Sequence, residues 1–194
     1  MEFLSMFIAQ LRSALCAMLL AALSFSAAAD APNSEYRQIE WIELMPADDL
    51  DALLNPPETI DQIADGSAED SVEGLAGTED EATKRYLAAL ESTRVVEEFN
   101  NSKIRLPGFV VPLEMKDEFT ATEFLLVPFF GACLHLPPPP PNQIVYVTYA
   151  DGVTLSSYQD AFWLEGTLKV ETTASDMGTA AYTLVVDSVA PYSE

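Results

Sequence analysis

The stretch IRLPGFVVPL, residues 104–113, sets apolar side chains at alternate positions from Ile104 and interrupts them with Pro107-Gly108. A period of two is the signature of a half-buried strand, and glycine after proline predicts a bend needing positive φ or close backbone approach. From Val95 onward the same period holds. Val95-Val96 lead to a turn at Asn100-Asn101, and FLLVPFF (124–130) is a second apolar run, broken at Pro128. IVYV (144–147) is a third, β-branched and aromatic. Phe162, Leu164, Leu168 and Val170 alternate along a fourth strand, and Tyr182, Leu184 and Val186 along a fifth. Residues 171–179 join these two as a hairpin, and residues 155–160 suit one turn of helix between the third and fourth strands. Five strands with that spacing predict a mainly β domain over 93–194, a small five-stranded OB-like Greek-key barrel with an N-terminal helical extension.

Moving toward the N-terminus, the period lengthens. Thr78-Glu79-Asp80-Glu81 has the form of a capping box, and Ala82, Tyr86, Ala89 and Leu90 share one face of a helix over 79–92 lying against the barrel. Residues 58–78 are carboxylate-rich, carry no basic residue and show little periodicity, the composition of an acidic flexible linker. The D-x-D-x-D-G spacing of a calcium loop is absent from them. Residues 30–57 form an N-terminal extension with Trp41 as a packing anchor. A short helix there opens at Asp48-Asp49 and is stopped by Asn55-Pro56-Pro57. Residues 1–29 read as a signal peptide: Arg12, then ALCAMLLAAL (14–23), then Ala27-Ala28-Ala29 before Asp30. Leu15 before Cys16 makes a poor lipid-attachment site. The expectation is a periplasmic protein that does not span the membrane after cleavage, the apolar run being shorter than the roughly 20 residues a spanning helix needs.

Thirty-one acidic against nine basic residues give a formal charge of −22. Nucleic acid and anionic lipid would both be repelled, so partners are expected to be neutral, cationic or metallic, with solubility as the plainer use of the charge. With Cys16 leaving in the leader, one cysteine stays in the mature chain, and no internal disulfide can form.

That cysteine and the chain's single histidine fall together in GACLHLPPPPPNQ, residues 131–143. On a strand, Cys133 and His135 would face one way, about 6.6 Å apart at roughly 3.3 Å per residue, within reach of one metal. A thiolate with an imidazole suits zinc or copper. The prolines that follow favour polyproline II and make a rigid wall. Two donors are fewer than a zinc site wants, so Glu123, Asp160, Met115 or a partner chain would complete the sphere. Equally open is a structural cysteine and histidine packed without any ligand. Nucleophilic Cys–His chemistry ranks below both: no third orienting group, C-x-x-C, G-x-S-x-G or glycine-rich phosphate loop accompanies the pair.

IRLPGFVVPLE (104–114), FLLVPFFGACLHLPPPPPNQIVYV (124–147) and IEWIELMPADDLDALLNPP (39–57) together resemble a bacterial envelope family, domain of unknown function 3299. The likeness runs from about Ile39 to Val189. Its most specific run falls on Gly131, Ala132, Cys133, His135, Pro137, Pro138, Pro139, Pro140, Asn142 and Gln143. The resemblance implies an exported protein without assigned activity, an accessory to envelope metal traffic or to an ABC-type transporter. Cys133 and His135 would then be a metal site for zinc or copper. The alternative is a purely structural module docking on a transporter or other periplasmic protein through Pro137, Pro138, Pro139, Pro140, Asn142 and Gln143. The lack of a lipid-acceptor cysteine favours a soluble over an anchored protein.

Overall fold

The computed structural model describes residues 35–57, 80–132 and 139–193. The expected signal peptide (1–29) and acidic linker (58–78) lie outside the described residues. In chain order the elements are β1 (Arg37–Gln38), a 3-10 turn Trp41–Leu44, α1 (Ala47–Leu54), α2 (Glu81–Leu90) and a 3-10 turn Glu97–Phe99. Then come β2 (Ser102–Met115), β3 (Thr120–Val127), a 3-10 turn Pro141–Gln143, β4 (Val145–Thr154) and β5 (Ala161–Lys169). The chain finishes with β6 (Thr173–Ser175), β7 (Gly178–Ala180) and β8 (Tyr182–Pro191).

Five long strands close on themselves in the order β2-β3-β4-β8-β5, with β5 returning to β2. Every neighbouring pair is antiparallel except β4 with β8, which run parallel in the register Val145↔Tyr182 to Thr148↔Val185. This is the five-stranded OB-like barrel that the strand count predicted. Closure pairs each of the five long strands on both sides over part of its length, which shortens the edges open to another chain. Ile104, Leu106, Phe124, Leu126, Val147, Leu164, Leu168 and Leu184, contributed by all five strands, fill the interior.

β2 differs from the expected bent strand in a specific way. Its ladder with β5 runs evenly from Ser102↔Leu168 to Phe109↔Ala161, straight through Pro107-Gly108. At Phe109 the strand hands over to β3, and the register shifts come later, at Glu114 and Met115. Gly108 is required by close approach: a β-carbon there would lie 2.7 Å from Leu126 Cγ and 2.9 Å from the Val127 carbonyl oxygen. Gly166 serves β5 in the same way, with the Val185 carbonyl oxygen occupying the space a β-carbon would need, beside the shift between Glu165 and Gly166.

Over the first half of β2 the edge not used by β5 is taken by the N-terminal segment. β1 pairs parallel at Arg37↔Ile104 and Gln38↔Arg105, and Ile39 N–H donates to the Arg105 carbonyl (3.1 Å). Trp41 Nε1 donates to the carbonyl of Pro107 (2.7 Å). Ile39, Trp41 and Leu44 are buried members of the main core, so the expected extension is part of the barrel's own packing. Trp41 is indeed a packing anchor.

Two local expectations change. Residues 155–160 make a turn, with no helix: Asp160 Oδ2 accepts from Ser157 N–H (2.8 Å) and Ser157 Oγ from Gln159 N–H (3.1 Å). Side chains that satisfy nearby backbone donors compete with a helix. α2 is capped by Asp80, whose carboxylate accepts from the N–H and hydroxyl of Thr83 (both 2.9 Å). Its buried residues are Thr83 and Ala89, Ala82 is exposed, and the helix packs on α1. An Arg85–Asp51 pair (3.1 Å) crosses that contact.

Candidate functional site

β3 is apolar on both faces, which explains why 124–130 reads as a continuous run. Phe124 and Leu126 point into the barrel, while Leu125 and Val127 face outward into a second apolar cluster with Ala132, Ile144 and Ala180. Phe109, Val111, Leu113 and Tyr146 pack at its margin. Two of its members, Ala132 and Ile144, flank the segment that carries the cysteine and histidine.

Cys133, His135, Pro137 and Pro138 lie outside the described residues; the flanks on either side are described. At the entry, Ala132 N–H closes a turn onto the Phe129 carbonyl (3.3 Å), Gly131 adopts φ 77°, and Ala132 is fully buried. A positive φ of that size favours glycine. At the exit, Pro139 and Pro140 are buried and a 3-10 turn follows, with Gln143 N–H donating to the Pro140 carbonyl (2.8 Å). The Pro141 carbonyl accepts from Ala181 N–H (2.8 Å), fastening the turn beside β8.

Asn142 and Gln143 are turned inward. Gln143 Nε2 donates to the Trp41 carbonyl (2.8 Å), and Asn142 Nδ2 to the Arg94 carbonyl (3.1 Å). Both residues are buried and hold the N-terminal elements to the barrel. Beside them Asp49, also buried, accepts from Ser92 Oγ (2.5 Å) and from Arg94 Nη1 (3.0 Å). Arg94 grips Asp48 with both terminal nitrogens (2.6 and 2.9 Å). That hydrogen-bonded guanidinium lowers the Asp48 pKa, and the same bond raises that of Arg94. The sequence showed Asp48 and Asp49 only as acids at a helix start. Their partner lies about 45 positions away, and no local pattern announces it.

The proposed supplementary metal donors are separately engaged or apart. Tyr146 hydrogen-bonds to Glu123; burial first and that bond second raise the tyrosine pKa. Asp160 is committed to Ser157, and Met115 is exposed at the end of β2. Among the described residues, no three His, Cys, Asp or Glu side chains gather in a metal-binding group.

Next to Gly131 opens an apolar cleft of about 140 Å3. Phe109, Val111 and Val127 form its inner wall; Phe130, Tyr158 and Met177 are its exposed rim. Sequence reading missed it because its residues come from two strands and three separate loops. The single available signal was the Phe129-Phe130 pair, too apolar for a loop that packs nowhere.

A family model described as protein of unknown function, DUF3299, matches residues 41–191. The crystal structure of a DUF3299 family protein from Pseudomonas aeruginosa PAO1 is similar to this chain at 37% sequence identity and a TM-score of 0.59. The match covers 82% of this chain and 97% of that one. No curated protein matches the sequence.

Proposed function

This chain belongs to the DUF3299 family of proteins of unknown function, and we propose that it is a non-enzymatic periplasmic binding protein that presents Cys133 and His135 to a soft metal ion. The observation that carries this reading is the anchoring of both flanks. Ala132 is packed into the outer cluster, and Pro139 to Gln143 is packed and hydrogen-bonded against β8, Trp41 and Arg94. Fixed flanks lower the ordering entropy that a short segment loses when it captures a ligand. A thiolate and an imidazole fit zinc or copper(I) in softness and fall two donors short of a closed tetrahedral zinc site. The remaining donors would come from the protein that receives the metal. That supports a role in handing metal on within the envelope, as an accessory to metal traffic or an ABC-type transporter.

The pair binds as thiolate and neutral imidazole, so affinity should rise with pH and binding should release protons. Zinc and copper(I) would be titrated into reduced, folded protein while the alkylation rate of Cys133 is followed. The expected result is protection on loading, reactivity after chelation, and weakened binding in Cys133→Ser and His135→Ala with unchanged melting. Stoichiometric binding of neither metal would overturn the reading. The docking alternative loses Pro139, Pro140, Asn142 and Gln143 as contacts for a partner, because all four are buried against the protein's own elements.

A further inference from the structure

We infer that the cleft between β2, β3 and the loops at Phe130, Tyr158 and Met177 docks a short, positively charged segment of a partner protein through one bulky apolar side chain. The size sets the first half of this assignment. An apolar cavity of roughly 150 Å3 takes a benzene-sized group, and this cleft, at about 140 Å3, matches a single aromatic, leucine or methionine side chain. Its rim is built for contact: Phe130 is 45% exposed, Tyr158 63% and Met177 45%. Aromatic residues and methionine are enriched at protein interfaces, and methionine adapts to varied shapes.

Charge sets the second half. No lysine or arginine lies within three positions of any residue lining the cleft; the charged residues within that distance are Glu114, Asp160 and Asp176. A second copy of this chain, at −22, would be repelled, and so would an anionic lipid surface. A partner segment with lysine or arginine on both sides of an apolar anchor satisfies the pocket and the field around it together. Docking of this kind requires neither the thiol of Cys133 nor the imidazole of His135.

The test uses the mature chain and three synthetic peptides followed by fluorescence polarisation and amide chemical shifts. One carries a Phe-Leu pair between lysines, one the same pair between glutamates, and one lysines around serines. The lysine–Phe-Leu peptide should bind at least ten-fold more tightly than either control and shift the amides of Phe109, Val111, Phe130 and Met177. Its affinity should fall as salt screens the charges. Tyr158→Ser and Met177→Ser, both at exposed positions, should each weaken it several-fold while Cys133→Ser leaves it unchanged, which separates this site from the metal reading. Equal binding of the glutamate peptide, shifts confined to another surface, self-association through these same amides, or preference for anionic vesicles would each overturn the assignment.

Discussion

At Tyr182 one hydroxyl does two jobs: it accepts from Val96 N–H (2.7 Å) and donates to the Leu44 carbonyl (2.8 Å). The ring is fully buried, and that burial pushes the phenol pKa from 10.0 up to about 12. The folded protein therefore favours the neutral form. A raised folded pKa means the contribution is complete below pH 10 and is lost as pH climbs toward about 12. Denaturant midpoints should hold level to pH 9 and then decline over that window. Tyr182→Phe should remove part of the alkaline decline and cost about 1–3 kcal/mol at neutral pH, because the buried Leu44 carbonyl and the part-buried Val96 N–H lose their partner. An unchanged alkaline limb in the variant would show that other groups govern it.

Among the elements, the segment from β1 to the Trp41–Leu44 turn carries the most consequence for its size. Two residues of parallel pairing are weak alone, so its hold on β2 rests on the apolar side chains that follow. Trp41→Ala should cost about 3–5 kcal/mol, the range for emptying a large core position. Trp41→Phe should cost less, about 1–3 kcal/mol, chiefly from leaving the Pro107 carbonyl without its donor. Urea unfolding of both variants checks the order; equal losses would mean the indole N–H carries the whole effect. Sequence placed Trp41 correctly as an anchor and still set residues 30–57 apart from the barrel. Parallel pairing with a strand some 67 positions later leaves no periodic trace at either end.

At the scale of the whole molecule, charge is the dominant unbalanced quantity. The described basic side chains are largely matched, as in Arg37–Glu43, Arg85–Asp51 and Arg94 with Asp48 and Asp49. Over the whole chain, acidic residues outnumber basic ones by 22. Exposed pairs contribute little each, while like-charge repulsion acts over the whole surface until salt screens it. The melting temperature at neutral pH should therefore rise between 20 and about 300 mM sodium chloride, well past the point where the Debye length falls to about 10 Å. A fall over that range would mean that the specific pairs outweigh the repulsion.

Sequence by itself determined the fold class and the number of long strands: alternation at 104–113 and in the later runs reflects which side chains each strand must bury, a local property. It also singled out Cys133, His135 and the prolines after them, because rare residue types at close spacing stand out without any folding. Tertiary structure alone decided that β4 and β8 run parallel, that β2 changes partner at Phe109, and that β1 occupies the edge left open. It alone turned Asn142 and Gln143 inward and joined Asp49 to Arg94. The physical reason is common to all of these. Pairing and hydrogen bonding between distant segments depend on which groups meet after closure of the barrel, and neither periodicity nor composition records that meeting.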